Sequence, residues 1–288
     1  MQTNRRLFLK TTFQGMSLAA FAGVSRAREK STSCRAVIDQ IIKEMIGKPL
    51  SQTIDTIKMG DASQPIQGIV TTMFATCETL EKAAAFGANL IIPHEPTFYG
   101  HQDNTDWLKD DPVFEHKRRL TEKHGLVIWR CHDTIHRMHP DGILAGMEQQ
   151  LGWSSSRPGF YTISPRSVAD LCAFLKARLD IPFVRVVGSL EQTCKTVAFF
   201  MGAPGGQRQM LEARRNPTDV VIIGECPEWE THEYFRDAQH ARRNQALIVL
   251  SHIPSEQAGM QWLAQWLKVK FPHLSITYMA NTSPWTLA

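Results

Sequence analysis

The 288-residue sequence predicts an α/β fold in which most strands pair in parallel. Short apolar runs alternate with segments whose apolar residues recur at helical spacing, which is typical of strands joined by crossover helices. Hydrophobic residues make up 43% of the chain, enough for one large core or two smaller ones. The 18 glycines and 15 prolines are near average and no repeat is visible, so disordered, fibrous and solenoid architectures are excluded.

The first half of the chain shows three strands and two helices. Thr76 is a helix cap and Gly87 a helix stop, while Asp111-Pro112 combines a cap with a first-turn proline. The predicted elements are a strand at 66–75, a helix at 76–87, a strand at 88–96, a helix at 111–125 and a strand at 126–133.

The second half repeats this alternation. Its predicted elements are a helix at 167–180, strands at 183–189, 195–202 and 219–225, an amphipathic stretch at 228–243, a strand at 246–252, a helix at 255–271 and a final strand at 274–281.

A change in composition indicates a domain boundary. Serine, proline and glycine are concentrated at 153–165. We expect two α/β domains, one formed by 28–155 together with 249–288 and the other by 156–248. The C-terminal segment would then return to the first domain.

Residues 1–27 have the features of a targeting segment. The pair Arg5-Arg6 precedes a Phe-Leu-Lys sequence and a moderately apolar stretch, and Ser25-Arg26-Ala27 offers a small-x-small cleavage site. The segment resembles a twin-arginine export signal, which implies a periplasmic or otherwise exported protein; an ordinary basic helix at a cytoplasmic N-terminus is the alternative. Its apolar stretch is too short to span a bilayer, so we expect no stable membrane insertion.

The charge and the cysteines exclude further classes. The net charge of +4 arises within residues 1–27, which hold four basic residues and no acid, so the remainder is neutral and predicts no nucleic-acid partner. The six cysteines show no C-x-x-C spacing, which argues against a zinc knuckle or a thioredoxin-like pair. We expect most of them to be buried as small apolar residues, and their pairing stays open.

Four predicted strands end in residues that can bind metals. Strand ends of an open α/β sheet converge on a cleft, so these endings are expected to meet. They are His94-Glu95, His132-Asp133, Gly224-Glu225 and His252.

Two of these endings also have a structural interpretation. His252 and Glu256 lie four residues apart at a strand-to-helix transition and can share a divalent ion. Alternatively, His252 bonds to a backbone group and Glu256 is an acid in the first turn of a helix. Pro93 and Pro96 can bring the adjacent His94 and Glu95 to one cleft, or the pair can form a surface turn.

Two further segments carry polar groups. A dense group of metal-competent residues spans His132, Asp133, His136 and His139, part of which a solvated turn explains. The glycine pair in the turn at 203–207 could present backbone donors to an anion.

The order and spacing of these motifs resemble the Nif-three-like family, whose members are often labelled type-two GTP cyclohydrolase I. The resemblance covers about residues 36 to 280. In this chain LIIPHEP matches the family's I-I-x-H-H-P segment, and HDTIH matches its H-T-N-L-D segment. Further along, IGE matches T-G-E and SHIPSE matches G-H-x-x-T-E.

The resemblance implies a two-metal site. By position its ligands are His94, Glu95, His136, His252 and Glu256. Two of the five depart from the family pattern, because Glu95 replaces a histidine and His136 replaces an aspartate, so the set keeps three imidazoles and two carboxylates. This compensated exchange favours a retained site with altered metal preference, holding two divalent ions such as zinc, manganese or iron.

Three residues beside this set have open roles. Asp133 is an alternative to His136 as the bridging carboxylate. His132 and Glu225 are candidates for orienting a ligand or transferring a proton, and both have structural roles as alternatives.

The function that follows is hydrolysis of a small molecule by a dinuclear-metal hydrolase of cyclohydrolase or amidohydrolase type. The alternative is a non-catalytic metal-binding or oligomeric scaffold protein of the same family. GTP is a doubtful substrate, since an exported protein would rarely meet cellular nucleotides. The resemblance also implies self-association, to which Trp262 and Trp266 could contribute unless they belong to the core.

Overall fold

The computed structural model describes residues 32–286. The predicted export signal at 1–27 lies outside the described residues. Within the described part of the chain, no helix has the length and apolar character needed to cross a membrane.

The first sheet has five strands in the order β1-β4-β3-β2-β10. Strands β2, β3, β4 and β10 are parallel, and the short β1 joins the edge antiparallel to β4. The strands are β1 Ile57–Met59, β2 Gly68–Thr72, β3 Leu90–Pro93, β4 Val127–Trp129 and β10 Ser275–Tyr278. β2 and β3 are buried throughout, as expected for strands covered on both faces.

The second sheet has the order β5-β7-β8-β9-β6. Its three central strands are parallel, whereas β5 and β6 are antiparallel at the edges. The strands are β5 Phe160–Ser167, β6 Arg185–Val187, β7 Thr193–Phe200, β8 Val220–Ile223 and β9 Ala246–Val249. Parallel pairing therefore holds in the centre of both sheets, and the α/β class is confirmed.

Nine α-helices surround these sheets in residues 32–286. They are α1 Cys34–Ile46, α2 Cys77–Phe86, α3 Pro112–Lys123, α4 Asp133–His136, α5 Gly142–Leu151, α6 Val168–Leu179, α7 Gly206–Arg215, α8 Thr231–His240 and α9 His252–Lys270. The caps predicted for α2 and α3 are confirmed: Thr76 accepts a hydrogen bond from the Thr79 amide, and Asp111 accepts from the amides of Val113 and Phe114.

Two predicted strand ends are in fact helical. The strand predicted to reach residue 133 ends at Trp129, and α4 begins at Asp133. The strand predicted to reach residue 252 ends at Val249, and α9 begins at His252, three residues earlier than expected. Pro254 is tolerated there because a first-turn amide has no partner within its helix.

Helices α5 and α9 join the two sheets. Ile143 of α5 packs in the core of the first sheet, while Leu144 and Met147 pack in that of the second. The helices cross closely at Gly146 and Gly259, where an added Cβ would overlap the opposing backbone. Through α9 the chain passes from β9 in the second sheet to β10 in the first. The division into two domains stays a prediction, because both cores share these helices.

Trp262, Trp266 and most of the cysteines pack in the interior. Trp262 and Trp266 are partly buried and pack against the core of the first sheet. All six cysteines are free; Cys77 and Cys226 are half-buried and the other four are buried, as predicted for most of them.

Candidate metal centre

Six polar side chains from three segments converge on one cavity of about 930 Å³. His94 and Glu95 follow β3, His132 and His136 lie at α4, and His252 and Glu256 occupy the first two turns of α9. All except the fully buried His94 line the cavity directly.

His94 is fully buried and presents one free nitrogen to the cluster. Its Nδ1 lies 3.1 Å from the carbonyl oxygen of Cys131, which can only accept, so Nδ1 carries the proton. Nε2 is buried without a hydrogen-bond partner and lies 3.7 Å from Glu256 Oε2. Burial lowers the pKa of His94 to about 4, so the ring is neutral at pH 7. Neutral imidazole is the form that ligates metals.

Glu95 is held at both carboxylate oxygens. Oε2 lies 3.4 Å from an Arg130 nitrogen, and Oε1 lies 3.1 Å from His252 Nε2. The Glu95 amide bonds to the carbonyl of Met73, which fixes the backbone just beyond β3. Burial would raise the pKa of Glu95, but the hydrogen bond and the charge of His252 lower it, so the carboxylate is ionised.

His132 and His136 each use Nδ1 to contact a carboxylate. His132 Nδ1 lies 3.1 Å from Asp133 Oδ1, and His136 Nδ1 lies 2.9 Å from Asp141 Oδ2. The ring centroids of His132 and His136 are 4.6 and 5.1 Å from that of His94. Burial would lower the pKa of His136, but the bond to Asp141 outweighs it and the pKa is raised. A carboxylate on Nδ1 leaves Nε2 as the nitrogen available to a metal ion.

His252 and Glu256 complete the cluster from α9. His252 Nδ1 lies 2.9 Å from Glu225 Oε1. Glu256 Oε2 lies 3.1 Å from His252 Nε2 but outside hydrogen-bond geometry, and this buried oxygen has no hydrogen-bond partner. Burial would lower the pKa of His252, but the surrounding carboxylates raise it to about 12. A side chain at Gly202 would overlap the Glu256 carboxylate, so a glycine leaves room for it.

The donor set fits divalent cations. Two groups have ligand atoms that all lie within 4.8 Å of one another: His94 with His132 and His136, and His94 with Glu95 and Glu256. Two of these atoms, His94 Nε2 and Glu256 Oε2, are buried without hydrogen-bond partners. Buried polar atoms are normally satisfied, and a bound cation would satisfy both.

The remaining predicted residues lie around the cluster. Asp133 Oδ1 contacts His132 and Oδ2 accepts from Thr53 Oγ1 at 2.8 Å, and the choice between Asp133 and His136 as the ligand stays a prediction. Glu225 Oε1 contacts His252 Nδ1, and its predicted role in orienting a ligand or transferring a proton stays a prediction. His132, predicted to orient a ligand or transfer a proton, lies in the cluster itself. His139 is exposed and outside the cluster.

The sequence did not point to Asp55 and Arg130. Asp55 accepts hydrogen bonds from the amides of His132, Asp133 and Thr134 at 2.8, 3.0 and 2.6 Å, which anchors α4. No local pattern marks it, since it acts from almost 80 positions away. Arg130 is fully buried, and its Nε donates to the carbonyl of His94 at 3.0 Å. An arginine inside the apolar run VIWRC was the available signal.

The turn at 203–207 does not offer the open anion site that its glycines suggested. The Gly206 amide, at the start of α7, donates to Glu230 Oε2 at 2.8 Å. The chain's own carboxylate therefore occupies that helix end.

The fold and cluster define a class of two-sheet α/β proteins with a histidine and carboxylate centre at their strand ends. The sequence model of the Duf34/NIF3 family (NGG1p interacting factor 3) matches residues 35–284. The chain belongs to this family.

Relatives and solved structures agree with that assignment. A Chlamydia trachomatis GTP cyclohydrolase 1 type 2 homolog is 25% identical over 223 residues, covering 74% of this chain and 83% of the relative. An Escherichia coli homolog of the same name is 22% identical over 258 residues, covering 86% and 98%.

Two crystal structures show the same fold. A Staphylococcus aureus hypothetical protein has a TM-score of 0.71 at 17% identity, covering 90% of this chain and all of that one. A Bacillus cereus protein related to NIF3 has a TM-score of 0.70 at 14% identity, with the same coverage.

Proposed function

We propose that this chain is a dinuclear-metal-dependent hydrolase of small molecules, of the cyclohydrolase or amidohydrolase type. The proposal rests on two buried atoms that have no hydrogen-bond partner, His94 Nε2 and Glu256 Oε2. Both belong to the six-residue cluster of possible metal ligands at the cavity. Two divalent ions bound there would polarise a substrate carbonyl or phosphoryl oxygen and lower the pKa of a bound water.

The donors divide into two sets. His94, His132 and His136 form an all-imidazole set, which suits zinc or iron. His252, Glu95 and Glu256 form a second set, whose two carboxylates also suit manganese. Glu95 Oε1 lies between the sets, 3.8 Å from His94 Nε2 and 3.9 Å from His132 Nε2, and is the proposed bridging ligand.

The residues around the donors would hold them for the reaction. Asp133, Asp141 and Glu225 each contact a histidine at Nδ1, which would leave Nε2 of that ring available to a metal ion. With Nδ1 engaged, the rings need no reorganisation when substrate enters, which is the preorganisation that catalysis needs.

Metal content and turnover test this proposal together. The protein purified without added metal should contain two divalent ions per chain. A panel of cyclic amides, phosphodiesters and nucleotides, GTP included, should yield a hydrolysed member with zinc, manganese or iron. His252→Ala should abolish that rate, whereas His116→Ala, an exposed histidine of α3, should leave it unchanged. Stoichiometric metal without turnover of any panel member would identify the non-catalytic metal-binding or scaffold alternative.

We propose further that the protein acts after twin-arginine export and as a homo-oligomer. Cell fractionation should find the processed chain in the periplasm, and Arg5→Lys with Arg6→Lys should retain it in the cytoplasm. Light scattering of the processed protein should give a mass above that of one chain. An unprocessed cytoplasmic protein or a monomer would contradict the respective proposal.

A further inference from the structure

Apart from the candidate metal cluster, part of the cavity lining is apolar. It is built by the end of β7, the turn before α7 and the start of β5, and includes Phe160, Phe200, Met201 and Pro204. The rings of Phe160 and Phe200 meet edge to face with centroids 6.2 Å apart. A cavity of about 930 Å³ with an apolar wall and a few polar groups is the size and character of a small-molecule site.

Three of the four acids that line this cavity have hydrogen-bond partners. Glu95 bonds to His252 and Asp141 bonds to His136, whereas Glu256 Oε2, beside His252, has none. The remaining acid, Glu212, accepts a hydrogen bond from Asn216 at 3.0 Å and pairs with Arg215 at 3.5 Å.

Two lining arginines lack such partners. Arg137 follows α4 and Arg208 lies in the first turn of α7, and both are exposed. Among residues 32–286, neither guanidinium forms an ion pair or a side-chain hydrogen bond. Outside the six-residue cluster, the charges of the cavity lining that lack partners are therefore positive, and guanidinium groups bind carboxylates and phosphates in a bidentate manner.

We infer that this cavity binds a small organic anion, with its carboxylate or phosphate at Arg137 and Arg208 and its apolar body against Phe160 and Phe200. As the substrate of the hydrolase this inference rests on the proposed function, and it then names the substrate class: a hydrolysable amide, lactam or ester that carries an acid group. Two bound divalent ions would outweigh the two carboxylates of the cluster and add to the attraction.

The test is calorimetric binding of three probes: 3-phenylpropionate, phenyl phosphate and the neutral 3-phenylpropanamide. Metal-free protein is the main sample, because an anion could otherwise bind the ions directly; zinc-loaded protein is the second. The metal-free protein should bind at least one anion and not the amide. The probe that binds more tightly distinguishes a carboxylate site from a phosphate site.

Variants assign the binding to the two arginines. Arg137→Gln and Arg208→Gln should each weaken binding of the anion roughly tenfold, the loss of about one charge-assisted hydrogen bond. Arg214→Gln, an exposed arginine of the same helix α7 outside the cavity lining, should leave the affinity unchanged. Unchanged melting temperatures would show that the variants fold.

The outcomes separate this inference from the proposed function. Equal binding of the amide and the anions, or unaltered affinity in both arginine variants, overturns the inference even if the protein hydrolyses neutral substrates. Anion binding that depends on both arginines supports the inference even if the protein takes up no metal, in which case the proposed function fails alone.

Discussion

At the scale of single residues, the cluster depends on residues that hydrogen-bond to its histidines and carboxylates. Arg130 joins three parts of the site: it bonds to the carbonyl of His94, to that of His101 at 2.6 Å and to the carboxylate of Glu95. Arg130 also forms an ion pair with Asp103, and Asp103 forms a second ion pair with Lys58 at 3.2 Å. The arginine thereby fixes the backbone of His94 and the carboxylate of Glu95.

Replacing Arg130 should destabilise the whole chain. Arg130→Met leaves the buried Glu95 carboxylate facing one cation fewer and several carbonyls unbonded, which typically costs about 3 to 5 kcal/mol. Urea unfolding of the metal-free protein measures this loss. Arg119→Met, on the exposed face of α3, should change the free energy of unfolding by less than about 0.5 kcal/mol. Equal stability of the two variants would contradict this role.

Glu225 should affect metal affinity without affecting metal stoichiometry. Glu225→Ala removes the partner of His252 Nδ1, and loss of such a contact typically costs about 10- to 100-fold in metal affinity. Zinc titration against a competing chelator measures the change, and Glu225→Gln should restore part of the affinity, since its amide oxygen can still accept from Nδ1. Wild-type affinity in the alanine variant would show that His252 needs no such support.

A buried lysine gives a pH dependence with a defined sign. Lys117 donates to the carbonyl of Thr97, and burial lowers the pKa of its ammonium group to about 8 from 10.5. Between these values the unfolded chain binds a proton that the folded chain does not, so this lysine makes stability rise with pH.

The wild type should accordingly gain stability over Lys117→Met by about 2 kcal/mol between pH 7.5 and 9.5, measured by urea unfolding. Lys176→Met, which removes an exposed lysine of α6, should show no such change with pH. A difference between wild type and Lys117→Met that is constant across this range would refute the assignment.

At the scale of elements, α5 and α9 set the distance between the two sheets. Gly146 and Gly259 allow their backbones to approach, and α9 carries both His252 and Glu256 at its start. The spacing of these helices thus also positions two of the three residues of the carboxylate-containing donor set.

Gly146→Ala should test this crossing. The added methyl group overlaps the backbone of Ala258 and Gly259, so the helices must separate at a cost of about 1 to 3 kcal/mol, despite the better helix propensity of alanine. The melting temperature should fall, whereas Gln149→Ala, on the exposed side of α5, should leave it nearly unchanged. A melting temperature equal to wild type would show that the crossing can relax.

The elements that sequence reasoning found and missed differ in their physical signals. Helices α2, α3 and α6 were predictable because Thr76, Asp111 and Ser167 are side-chain caps that precede an apolar period. Helix α7 was missed because its buried side contains Gly206, Gln209 and Ala213, which show no apolar stripe. Helix α4 has four residues, too few for a period, and depends on the distant Asp55.

The candidate site was more predictable than its surroundings. Strand ends converge by the geometry of parallel sheets, so the donors could be found from local sequence and family resemblance. The contacts of His132 and Asp133 could not, because they involve residues far away in the sequence, such as Thr53, which donates to Asp133 Oδ2.

At the scale of the whole molecule, the cluster connects distant parts of the chain. Glu95 and His252 are 157 positions apart and in contact. Only the folded chain could bind an ion through both residues, because unfolding separates these two ligands.

Metal removal should therefore lower the melting temperature. At a free metal concentration a hundred times the dissociation constant, binding to the folded state alone adds about 2.7 kcal/mol to the free energy of unfolding. Calorimetric melting with zinc and with a chelator measures the difference, and His252→Ala should reduce it sharply. Identical melting curves with and without zinc would contradict a site that cross-links the fold.

The position of α9 near the C-terminus has a consequence for biosynthesis. A ribosome must add more than 250 residues before His252 and Glu256 exist, so a nascent chain presents only the imidazoles and the single acid of the earlier segments. Loading of the proposed metal site would therefore be complete only after α9 has been translated.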